Sequence, residues 1–129
     1  MVALDPCDGS EVYSFASPGV GPSDVSWDGS NLWVTDYLGG TIYAVDPLTG
    51  AVLSSRDAPY AYSNGLTWDG AWFWLTANGT SNRLARLEPD FSVAQEYPHA
   101  GSDPRGIAWD GSRIWHSDGT TGAIDSFVP

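Results

Sequence analysis

Trp-Asp-Gly occurs three times, at Trp27-Asp28-Gly29, Trp68-Asp69-Gly70 and Trp109-Asp110-Gly111, and both intervals are 41 residues. A second tryptophan follows six residues after each first one, at Trp33, Trp74 and Trp115. A fixed period of this length, filled with strand-like segments, marks stacked sheet repeats, each of which needs a neighbour to bury its apolar face. The 129 residues hold three such periods and six residues more.

Four short strands fit each period. The first runs over Asp24–Trp27, Gly65–Trp68 and Gly106–Trp109. Asp-Gly follows each time, and both residues tolerate the positive φ of a tight hairpin. The second covers Asn31–Asp36, Trp72–Ala77 and Arg113–Asp118, and the third Thr41–Asp46, Arg83–Glu88 and Ala123–Val128. Pro47-Leu48-Thr49-Gly50 reads as a turn into a fourth strand at Ala51–Ser55, echoed by Ser92–Tyr97 and Glu11–Ala16. No window has sustained helical spacing, so the expected fold is all-β. The recurring tryptophans suit large rings filling gaps between twisted sheets, with a sugar-stacking platform as the alternative. Trp72, which matches Asn31 and Arg113, is a candidate exposed or interface ring. Val25, Leu66 and Ile107 match as packing positions, as do Val34 and Leu75, a series that His116 breaks.

Hydrophobic content of 42% suffices for a packed core. Net charge is −11, and all five basic residues are arginine. Such a surface repels phosphate backbones and anionic lipid, so neither nucleic acid nor a membrane is an expected partner. It favours cations or cationic partners; plain solubility is the competing explanation. No stretch approaches membrane-spanning length, and Met1-Val2-Ala3-Leu4-Asp5 lacks the basic start of a signal peptide, so a full-length chain is expected to be cytoplasmic. The single Cys7 allows no intramolecular disulfide.

The run Pro22-Ser23-Asp24-Val25-Ser26-Trp27-Asp28-Gly29-Ser30-Asn31-Leu32-Trp33-Val34-Thr35-Asp36 and its two echoes resemble the repeats of NHL, SMP-30 and streptogramin-lyase-like β-propellers. The resemblance covers essentially the whole chain and implies four-stranded blades around a channel. Propellers close with about four to eight blades, so three make half a ring. Met1–Pro6 and Ile124–Pro129 both align with Ile42–Pro47. The expected organisation is one domain of repeats at 24–64, 65–105 and 106–129, the last completed by residues 1–23 of a second chain. Two copies then form a six-bladed homodimer by strand exchange, each Gly106–Val128 sheet taking its outer strand from the other subunit's Glu11–Ala16. A third-strand segment occurs twice in each composite blade, so one copy must yield or sit outside, and the sequence does not choose. A piece of a longer propeller is the alternative.

Strand order puts the loops 37–41, 78–82 and 119–122 on one face with the connectors 17–23, 58–64 and 99–105. The repeats diverge there: Tyr37 matches Asn78 and Gly119, Ser23 matches Asn64 and Arg105, and Asp24 matches Gly65 and Gly106. Polar residues that the common blade does not require point to a binding site. The candidate ligand residues at the channel mouth are Ser23, Asn64, Arg105, Tyr62, Asp103 and His99, with Tyr60 nearby. Arg105 suits a carboxylate or phosphate, or a pairing with Asp103 or Asp24. Asp24 is a candidate ligand for a hard cation such as Ca²⁺, or else a local cap. His116 reads as a core histidine, and His99 as a conceivable acid–base group without a fixed partner. Asp36 and Asp118 are expected to hold backbone, and Asn78-Gly79-Thr80 is a glycosylation sequon that matters only in a secreted protein.

The preferred function is a non-enzymatic binding or scaffold module. The alternative is a small lyase or hydrolase of the streptogramin-lyase or SMP-30 type. That resemblance implies a metal or an acid–base set in the channel, whereas Glu11, Glu88 and Glu96 fall in outer-strand regions and no histidine falls on a first strand. A duplication product without any ligand is a third possibility.

Overall fold

The computed structural model describes residues 1–79, 82–99 and 101–129. Thr80, which ends the sequon, Ser81 beside it, and Ala100 in the connector 99–105 lie outside the described residues. Thirteen strands and no helix occur among the described residues. They are β1 (Val2–Leu4), β2 (Glu11–Ser14), β3 (Pro22–Trp27), β4 (Leu32–Asp36), β5 (Thr41–Val45), β6 (Val52–Asp57), β7 (Ser63–Trp68), β8 (Phe73–Ala77), β9 (Arg83–Leu87), β10 (Val93–Tyr97), β11 (Pro104–Trp109), β12 (Ile114–Asp118) and β13 (Ile124–Phe127).

Antiparallel pairing gives two four-stranded sheets, β3-β4-β5-β6 and β7-β8-β9-β10, a three-stranded sheet β11-β12-β13, and the hairpin β1–β2. The first strand of the middle sheet, β7, packs against both β3 and β11, so the sheets fan out from their first strands as blades. Each first strand starts two residues earlier than its sequence pattern indicates, at Pro22, Ser63 and Pro104. The cause is a bulge: Pro22 opposes Asp36 and Asp24 opposes Thr35, and the same shift recurs in the other two blades.

The Trp-Asp-Gly turns also differ from expectation. They are four-residue loops, closed by the Asp28, Asp69 and Asp110 amides donating to Asn31, Trp72 and Arg113 carbonyls. Only the glycines take positive φ, near +100° in all three. The aspartate Oδ1 accepts the amides two and three residues on, such as those of Ser30 and Asn31, while Oδ2 accepts the indole N–H of Trp33, Trp74 or Trp115 at 2.6–2.7 Å. One carboxylate thus holds both the turn and the tryptophan of the following strand.

Two seams form the core. In the first, Trp33 and Ile42 meet Leu66, Phe73 and Leu87. In the second, Trp74 and Leu84 meet Ile107 and Ile114, with Tyr97 and Phe127 against the Trp74 ring. A hydroxyl rung crosses each seam, from Thr35 Oγ1 to the Asn64 carbonyl at 3.0 Å and from Thr76 Oγ1 to the Arg105 carbonyl. Trp72, a candidate interface ring, lies half-buried under the Arg86 guanidinium, 4.5 Å away.

The outer faces of the first and third sheets repeat the seam chemistry without its cover. Strand pairing makes Trp115 and Ile124 the equivalents of Trp74 and Leu84. Trp74 and Leu84 are fully buried, whereas Trp115 is 40% and Ile124 71% exposed. At the other end Val25 and Trp27 are each 49% exposed, against 2% for Leu66 and 9% for Ile107. The hairpin β1–β2 leans on that end, where the Tyr13 hydroxyl donates to the Pro47 carbonyl and Phe15 lies against Gly50.

Candidate functional site

Two buried carboxylates shape the loop face. Asp36 accepts the amides of Val20, Gly21 and Gly39. Burial alone would raise its pKa, but these donors outweigh it and hold the carboxyl below its usual range. Asp118 accepts from Thr121, Thr120 and Asp103 amides and sits 3.0 Å from His99 Nε2. The Thr121 and Asp103 amides hold its pKa well below the carboxylate range. Both aspartates therefore tie connectors to blades.

Ser23, Asp24, Asn64 and Arg105 line one cavity of about 240 Å³ at the first-strand ends, with Gly65, Gly106 and Ile107. Ser23 Oγ donates to the Asn64 carbonyl at 2.9 Å. Asp24 accepts the Val25 and Leu66 amides at 2.9 and 2.8 Å, and burial raises its pKa against these two donors. Arg105 is forked onto Asp103 Oδ2 through Nε and Nη2, at 2.9 and 2.7 Å, with its side chain 56% exposed. Asn78 Nδ2 donates to the other Asp103 oxygen at 3.0 Å.

Tyr62, with φ +59°, stands on the same face with its ring 5.2 Å from that of Tyr37, but does not line the cavity. Tyr60 is turned to the blade edge, where its hydroxyl donates to Glu96. His99 does not line this cavity. Its side chain is 2% exposed, turned inward onto Asp118, because that buried carboxylate has room for a fifth donor. The His116 ring lies 5.0 Å from that of His99, and burial, followed by the His99 charge, pushes its pKa down. The hydroxyl rung escaped sequence reasoning, although Thr35, Thr76 and Ser117 share one place in the repeat.

The all-β sheets, fanning out from their first strands, have the architecture of β-propeller blades. No protein-family model and no curated protein matches the sequence. Solved structures do match. Virginiamycin B lyase from Staphylococcus aureus is 17% identical with a TM-score of 0.63, over 98% of this chain and 47% of that one. A streptogramin B lyase is 24% identical with a TM-score of 0.54, over 93% and 45%. Regucalcin from Agrobacterium tumefaciens, a calcium-binding protein, is 17% identical with a TM-score of 0.61, over 75% and 37%. At these identities the likeness concerns the fold alone, and the chain spans less than half the length of these three structures.

Proposed function

We propose that this chain is a non-enzymatic β-propeller binding module that pairs with a second copy of itself into a six-bladed ring, with a ligand or cation site at the channel mouth. The supporting observation is the exposure of Trp115 and Ile124 at one end and of Val25 and Trp27 at the other. Their repeat equivalents are the seam residues of the core. The missing rung fits the same closure, since Ser117 Oγ stands where Thr35 and Thr76 donate and the Ser23 carbonyl stands where Asn64 and Arg105 accept. Large exposed apolar faces favour association.

Closure by a two-fold axis doubles the set at the mouth, bringing two copies each of Asp24, Asn64 and Arg105 around one channel. A carboxylate or phosphate ligand suits Arg105 and Asn64. Among the described residues no group of three or more His, Cys, Asp and Glu side chains is placed to hold a metal ion, so a cation such as Ca²⁺ at Asp24 requires oxygens from both copies. The binding reading is preferred to the lyase or hydrolase because neither histidine nor glutamate lines the cavity. Thermal unfolding with Ca²⁺ tests the cation site: a rise in midpoint lost in Asp24→Ala supports it, and no rise in the native chain removes it. Binding of a small dicarboxylate that Arg105→Ala abolishes without changing the mass of the assembly supports the anion site; unaltered binding excludes Arg105.

A further inference from the structure

The duplicated third strand can be resolved from the way β1 and β13 are held. The hairpin β1–β2 copies the outer hairpin of the first blade: the Asp5 amide donates to the Ser10 carbonyl and Gly9 to Asp5, as Asp46 does to Ala51 and Gly50 to Asp46. Val2 opposes Ser14 and Ala3 opposes Tyr13, as Tyr43 opposes Ser55 and Ala44 opposes Ser54. Thus β2 stands in a fourth-strand place and β1 fills the third-strand place beside it. The third blade has the reverse arrangement, with β13 in the third-strand place and no strand beyond it among the described residues.

The two rivals are anchored unequally. β13 pairs with β12 at four consecutive positions, Ile114↔Phe127 to Ser117↔Ile124, and its Phe127 ring packs on Trp74 and Tyr97 in the second seam. β1 has three residues, pairs with β2 only, and leaves Val2 and Leu4 more than half exposed. A two-stranded hairpin is marginal by itself. Besides its backbone pairing with β1 and Met1, β2 is tied to the first blade through Tyr13 on Pro47 and Phe15 on Gly50, contacts that do not involve β1.

Resting on the homodimer reading, we propose that β1 is a placeholder strand. It covers the pairing edge of β2 in the free subunit and is displaced by β13 of a second copy, so that β2 closes the sheet β11-β12-β13 as its fourth strand. The register of the first blade, carried over, sets Asp125 opposite Ser14 of the partner subunit and Ser126 opposite Tyr13 of the partner subunit. Tyr13 and Phe15 keep their seats while β1 leaves.

Cysteine pairs in a Cys7→Ser background read the seam directly, since residues facing across an antiparallel pair lie within disulfide reach. Asp125→Cys with Ser14→Cys is expected to give a covalent dimer on oxidation. Val2→Cys with His116→Cys reports the opposite outcome, in which β1 stays and β13 leaves. A covalent dimer from that second pair alone, or a dimer that neither pair links, overturns the placeholder while leaving the homodimer intact. Ala3→Pro, which unseats β1 without touching β13, should lower the dimer dissociation constant about tenfold per seam, as expected when about 1.4 kcal/mol of competition is removed. An unchanged or higher constant contradicts the proposal, and a chain that stays monomeric in every variant contradicts the homodimer reading itself.

Discussion

Asp69 shows how much a single repeat residue carries. Its carboxylate holds the amides of Ala71 and Trp72 and the indole N–H of the fully buried Trp74. Asp69→Ala strands that N–H inside the second seam, and a buried unsatisfied donor costs about 1–3 kcal/mol. Urea unfolding should show the loss, and a midpoint equal to that of the native chain would contradict this role. Asp110 makes the same contacts on the open face, where its donors, led by the Trp115 indole N–H, lower its pKa from 3.8 to about 2. Because the folded value is the lower one, the stabilisation is complete above pH 3.8 and is lost as the pH falls towards 2. Native chain and Asp110→Asn should therefore differ in urea midpoint at pH 6 and converge near pH 2; a constant difference would rule this out. The motif was visible as spacing, and its role was not, because hydrogen bonding between Asp28 and Trp33 depends on a turn geometry that the letters Trp-Asp-Gly do not specify.

The strands were legible almost to their ends, because period-two packing recurs in phase with the tryptophans. What escaped was the bulge that lengthens each first strand. Gly65 lies on the inner side of that bulge: a Cβ there would meet the Arg105 carbonyl oxygen at 2.6 Å and Thr76 Oγ1 at 2.7 Å. Gly106, its equivalent in the third blade, would meet nothing closer than Ser117 Oγ at 3.4 Å. Gly65→Ala should thus cost about 1–3 kcal/mol by overpacking the second seam, while Gly106→Ala leaves the free subunit nearly unchanged. Calorimetry of both variants under monomeric conditions checks this, and equal midpoints would contradict the close approach. At the same strand ends Ser23, Asp24, Asn64 and Arg105, which occupy neighbouring places in the repeat, line one cavity. His99 does not, because a connector can turn inward onto a buried carboxylate, and local spacing carries no sign of that.

At the scale of the whole molecule, three blades share two seams, and the two end faces carry the repeat equivalents of seam residues in exposed positions. The sequence period explains the interior order, and the proposed pairing would cover the exposed Trp115 and Ile124. A charge placed there should prevent pairing while sparing the blades: Ile124→Asp is expected to yield folded subunits of 13.8 kDa. The most direct measurement is the mass of the native 129-residue chain by light scattering at micromolar concentration. Closure by a second copy predicts about 28 kDa, twice the subunit mass. A stable, folded species of 13.8 kDa would contradict it.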